Sequence, residues 1–221
     1  MAAKGLSHEH IPQRLLDRLF LTPVHPPSPH NSHARYMTNY QEIIDRYYPA
    51  GSALRDIYLR HCGQVADLAA HINESKHLGL DPGELRSAAM LHDIGIYRCD
   101  ASSIECHGTE PYIRHGIIGA QILRDCGAPE TMARVAERHT GAGLTAREIE
   151  QSRLPLPAKD YLPETTLERL ICYADKFYSK SSILSSGPKP IDKVKKQMAR
   201  FGEESLSRFI ALDAEFGPVD T

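Results

Sequence analysis

Five segments of the 221-residue chain each set a histidine or an aspartate among apolar residues at helical spacing. His61 lies four residues after Ile57 and four before Val65. His92 follows Leu85, Ala88 and Ala89 by seven, four and three, and Asp93 stands beside it. His115 precedes Ile118 and Ile122 by three and seven, and His139 follows Met132, Val135 and Ala136 by seven, four and three. Asp175 follows Ile171 and Cys172 by four and three. On a helix these offsets share one face, so each stripe aims its polar residue at the core. One such histidine is ordinarily a core residue with a satisfied hydrogen bond. Several unpaired polar groups in one core are expensive. A shared divalent metal removes that cost, because imidazole nitrogen and carboxylate oxygen are its natural ligands. Four imidazoles and two carboxylates exceed what one tetrahedral ion takes, and suit two ions bridged by one carboxylate.

These residues must be held by helices. "NYQEIIDRYY" reads as a short helix stopped by Pro49, and "GSALRDIYLRHCGQVADLAAHIN" as a long one. "LDPGELRSAAMLHD" begins with Asp81 as N-cap and Pro82 in the first turn. "PYIRHGIIGAQILRDCG" and "APETMARVAERHTG" end at Gly127 and Gly141. "TAREIEQSR" is short, and "PETTLERLICYADKFYSKS" is long and amphipathic. After Gly187 the spacing predicts one or two solvent-facing helices. No stretch alternates with period two, so little or no sheet is expected. The predicted fold is an all-α bundle. Residues 1–38 form a proline- and histidine-rich arm, 39–182 the domain that carries the site, and 183–221 a helical extension.

The same segments carry a family resemblance. "RHCGQVADLA", "AAMLHDIGIY", "RHGIIGAQIL", "ERHTGAG" and "ICYADKFYSK" resemble, in order, the motifs of the HD superfamily of metal-dependent phosphohydrolases. The resemblance covers about residues 55 to 180. "HDIG" and "HTG" look closest to small stand-alone HDIG-type hydrolases, which are similar to the di-iron enzymes that hydrolyse diadenosine tetraphosphate. The resemblance implies an HD-domain bundle with His61, His92, Asp93 and Asp175 around one metal. Asp93 would bridge to a second ion held by His115 and His139. Asp93, His115 and His139 would be the catalytic set. The cofactor expected is two divalent ions, iron first, with manganese, cobalt, nickel or zinc as substitutes. The expected reaction is hydrolysis of a phosphoester or phosphoanhydride of a nucleotide or similar small compound, by hydroxide generated at the metal.

Substrate contacts are less strongly marked. His107 lies in the loop before His115. Arg138 adjoins His139, while Lys176 and Lys180 follow Asp175. Any of the four could meet phosphate oxygens. Two other functions fit the same residues: a ligand-binding or signalling HD module without catalysis, and a di-iron oxygenase of the same superfamily.

Composition narrows the partners. The chain is 41% hydrophobic and 24% charged, with a formal net charge of -2. That gives no global basic field for nucleic acid. No apolar run approaches the ~20 residues that span a bilayer. The start lacks the apolar core of a signal peptide, and the five cysteines form no CxxC. A cytoplasmic protein with reduced thiols is expected. Phe209, Ile210 and Leu212 in the tail are read as exposed apolar residues that could serve a homodimer.

Overall fold

The computed structural model describes residues 39–180 and 187–218. The N-terminal arm, residues 181–186 and the last three residues lie outside the described residues. The described chain is almost wholly helical: α1 (Tyr40–Tyr47), α2 (Ala53–Ser75), α3 (Pro82–Leu91), α4 (His115–Asp125), α5 (Glu130–Arg138), α6 (Ala146–Gln151), α7 (Thr166–Asp175), α8 (Ile191–Ala199) and α9 (Glu203–Phe216). Two two-residue strands, β1 (Asp100–Ala101) and β2 (Cys106–His107), pair antiparallel between α3 and α4. All five cysteines are free.

Local chemistry sets the helix ends. The Asp81 side chain accepts from the Glu84 N–H at 2.8 Å, and Pro82 opens α3. Thr145 and Glu148 close a reciprocal capping box on α6, and Thr165 caps α7. Gly127 adopts φ +70° just after α4, where a side chain would be strained. The core packs α2, α3, α4, α5 and α7 around Val65, Leu85, Leu91, Leu123, Val135 and Ile171.

Two expectations are corrected. The helix through "ICYADKFYSK" stops at Asp175. Lys176, Phe177 and Tyr178 instead donate to carbonyls three residues back. Lys189 takes the freed acceptors. Its N–H bonds the Phe177 carbonyl at 2.8 Å, and its ammonium donates to those of Lys176 and Tyr178, each at 3.2 Å. The tail is also not merely solvent-facing. Phe209 stacks on Tyr173 with centroids 5.6 Å apart, and Val194, Met198, Leu212 and Phe216 are buried. The tail therefore closes one side of the core, and of the residues read as exposed only Ile210 is so.

Candidate metal centre

Helix ends converge on the site. His92 and His139 follow the last residues of α3 and α5, Asp175 ends α7, and His115 begins α4. His61 projects from the middle of α2. Three helix C-termini therefore lie at the site, and their partial negative charge favours a cation. The turn bearing His92 and Asp93 is braced from beneath by two stacked tyrosines, 4.2 Å apart. Tyr58 donates to the Met90 carbonyl, and Tyr48 to that of Ile94 at 3.0 Å.

The six residues that the sequence singled out as ligands are buried and come together. They form two groups. His61, His92, Asp93 and Asp175 make one, and Asp93, His115 and His139 the other; within each group the offered atoms lie within 4.8 Å of one another. The Asp93 oxygens divide between them. Oδ2 is 3.2 Å from the Nε2 of both His61 and His92. Oδ1 is 3.4 Å from His139 Nε2 and 3.6 Å from His115 Nε2. Asp175 Oδ1 completes the first group, 3.0 Å from His61 and 3.5 Å from His92. This arrangement is consistent with a binuclear metal site.

Hydrogen bonding tests whether metal fits. His92, His115 and His139 each place Nδ1 on the carbonyl three residues earlier, at Ala89 (2.6 Å), Tyr112 (2.7 Å) and Ala136 (2.8 Å). A carbonyl only accepts, so each Nδ1 carries a proton, and wherever the ring is neutral its Nε2 offers a lone pair. His115 and His139 then face each other through Nε2 atoms 3.0 Å apart. Burial, joined by its neighbour His139, pushes His115 down to about 3, and burial also lowers His139, so both rings are neutral. Two lone pairs at that distance repel unless a cation lies against both. Both nitrogens of His61, with Nε2 of His92 and Oδ1 of Asp93, are likewise buried without a hydrogen bond. The donor set fits divalent metal.

Cationic side chains balance the carboxylates. Burial alone would raise Asp93, but Lys180 and His92 outweigh it and hold the group well below the carboxylate range. Asp175 is likewise depressed, with Lys176 and Lys180 overcoming burial. Burial alone would lower His92, yet Asp93 leads the partners that lift it well above its usual value. The Lys180 ammonium lies 2.6 Å from Asp93 Oδ2.

The four residues read as substrate contacts separate. Lys176 and Lys180 line the cavity that opens on the site. His107 is exposed beside Glu105, 3.5 Å away. Arg138 turns to Glu164 at 2.7 Å and to the Leu162 carbonyl at 2.8 Å. Neither is brought to the cavity.

Lys176 carries more than its sequence position indicates. It is buried, donating to Asp175 Oδ2 at 2.6 Å and to the His139 carbonyl at 2.9 Å. It thereby occupies the Asp175 oxygen turned away from His61 and ties the first group to the chain of the second. Lys176→Met is expected to weaken metal binding about 10- to 100-fold, the usual cost of losing a group that orients a ligand. Competition against a chromophoric chelator measures this. Unchanged affinity with an intact helical spectrum would remove Lys176 from that role.

Comparison with known proteins identifies the family. The sequence profile of the HD domain matches residues 58–179, more than half of the chain. The chain belongs to the HD-domain family. An uncharacterised protein of Methanocaldococcus jannaschii is 36% identical over 165 residues, which is 71% of this chain and 86% of that one. The tRNA (cytidine(56)-2'-O)-methyltransferase of Picrophilus torridus is 34% identical over 130 residues. That match covers 59% of this chain but 34% of the methyltransferase, so the HD chain spans about a third of that protein. Among solved structures, the HD domain of the L. monocytogenes phosphodiesterase PgpH is similar at 17% identity and a TM-score of 0.46, over 80% of this chain and 97% of that one. The same domain in complex with cyclic-di-AMP aligns at 15% identity and a TM-score of 0.43, over 82% and 99%. No helix among the described residues is long and apolar enough to cross a membrane.

Proposed function

We propose that this HD-domain protein is a metal-dependent phosphohydrolase that cleaves a phosphoester or phosphoanhydride of a small compound, with nucleotides as the favoured class. The reading rests on one observation: the paired Nε2 lone pairs of His115 and His139, facing Asp93 Oδ1 across a buried space. His61, His92, Asp93 and Asp175 would hold one ion, and Asp93, His115 and His139 the second. Iron is the first choice, and manganese, cobalt, nickel or zinc suit the same donors. Two such ions supply Lewis acidity and an activated water for in-line attack at phosphorus. No side-chain nucleophile is assigned.

The surroundings favour an anion. A cavity of about 700 Å³ opens on His115, His139 and Asp175. Lys176, Lys180, Lys189 and Arg200 lie in its wall. Among the described lining residues the one other carboxylate is Glu148, and it is paired with Arg208 at 2.7 Å. A phosphate entering there meets positive charge. The Lys180 ammonium stands beside Asp93 and would hold a phosphoryl oxygen by a charge-assisted hydrogen bond.

Phosphate release from a nucleotide panel tests the reading, together with metal content per chain. About two ions are expected, with turnover lost on chelation and restored by adding metal back. Oxygen consumption without phosphate release would select the oxygenase instead. Metal held without any turnover would leave the binding module.

A further inference from the structure

The cavity reaches beyond the segment that matches the HD family. Its lining includes the turn between α8 and α9 and the residues that flank it: Gln197, Met198, Arg200, Phe201 and Ser205. Apart from Ile210, the larger apolar residues of α8 and α9 turn inward: Val194, Met198, Phe209, Leu212 and Phe216 are buried. Phe201 does not follow them. It is 62% exposed, while its backbone is pinned to the end of α8 by an N–H bond to the Met198 carbonyl at 3.0 Å. The next residue, Gly202, takes φ +114°, a value side chains rarely adopt, which fixes the reversal into α9. The ring therefore lines the cavity from a held backbone, and the described residues leave it largely uncovered.

The wall chemistry is divided. The lining carries metal-centre residues and ammonium groups, and also the apolar side chains of Ile104, Ile113, Leu144 and Leu154. A small free phosphate would leave those apolar surfaces and Phe201 unused. An occupant with a phosphate at one end and a planar apolar ring at the other would use both. Arg200, beside Phe201, adds positive charge on the same wall.

We infer that Phe201, in the tail outside the HD segment, is a specificity-determining residue that stacks on the planar ring of a phosphorylated substrate. The phosphate end of this inference rests on the phosphohydrolase reading, whereas the ring end stands on the turn itself. Stacking of a base on an aromatic side chain is worth about 5- to 150-fold in affinity.

The test compares adenosine 5′-monophosphate with ribose 5-phosphate on the full metal-loaded chain. The two probes share a phosphoester and differ by the planar base. Their preference ratio is read as Kd by calorimetry where the probe is not turned over, and as kcat/KM where it is. The wild type is expected to prefer the base-bearing probe by about tenfold or more. Phe201→Ala should bring the ratio to about threefold or less, and Phe201→Trp should keep it. A wild-type ratio near one, a ratio untouched by Phe201→Ala, equal weakening of both probes, or binding of neither would overturn the inference. Failure of the hydrolase reading shows separately, as absence of phosphate release while the binding ratio and its dependence on Phe201 persist.

Discussion

Replacing Asp93 with asparagine is expected to remove both metal ions and to cut phosphate release by at least about 10³-fold, the upper end of the cost of one group that stabilises transition-state charge. Asp93 is the one residue common to the two ligand groups, with Oδ2 toward His61 and His92 and Oδ1 toward His115 and His139. Asparagine keeps the shape and removes the charge that each ion needs. No other carboxylate among the described residues serves both groups. The substitution also leaves the Lys180 ammonium without its partner at 2.6 Å. Breaking one side of a buried pair costs up to about 3–5 kcal/mol, so a helical spectrum must accompany the assay. Elemental analysis and phosphate release on the folded variant decide the matter. Two retained ions with full turnover would refute the assignment of Asp93 as the bridge.

Gly95→Ala should be nearly as severe for a different reason. Gly95 has φ −84°, so its backbone needs no special freedom. A Cβ there would lie 2.3 Å from the His115 carbonyl oxygen and 2.5 Å from the Gly119 nitrogen. Both are backbone atoms, and neither can rotate aside. Relief requires moving the start of α4, which carries His115. The expected cost is about 3 kcal/mol of stability. The second ion should be lost while the first is kept, and turnover should fall about 100-fold, as for a roughly 1 Å misplacement of reacting groups. Gly63→Ala is the control within the same protein. Its added Cβ meets nothing within 4 Å in the interior of α2, so alanine there should stabilise by about 0.5–1 kcal/mol. Denaturant titration and metal content separate the two outcomes. Equal stability of both variants would remove the close approach at Gly95 as the reason for its glycine.

The sequence made the inward faces legible because period and polarity conflict at so few positions. His61, His115 and His139 each interrupt an apolar stripe, and a stripe states which side of a helix is covered. Capping was legible at Asp81 for the same local reason. Periodicity is silent on what covers a face, so Phe209 and Leu212 were read as open although Tyr173 and its neighbours receive the tail. It is also silent on distance. Lys180 stands five residues beyond Asp175 yet returns to Asp93, and nothing in the spacing fixes that reach. The glycine in "HDIG" was visible, but its purpose lies in a helix twenty residues later. Arg138 and His107 show the converse: adjacency to a ligand in sequence did not bring either side chain into the cavity.

Three of the four imidazoles take their orientation from a peptide carbonyl one turn back in their own chain segment. A carbonyl is present whatever residue bears it, so no single codon change at Ala89, Tyr112 or Ala136 deletes that acceptor. The proton placement on these rings is therefore insulated from genetic drift in a way that a carboxylate partner would not be. The sensitive positions make a short roster: the ligands themselves, Lys176 beside Asp175, and glycines such as Gly95 and Gly116 where neighbouring backbone leaves no space for a methyl group. His61 stands apart, since its Nδ1 has no such partner. Its ring alone relies on its neighbours' packing, and so on side chains that mutation can change.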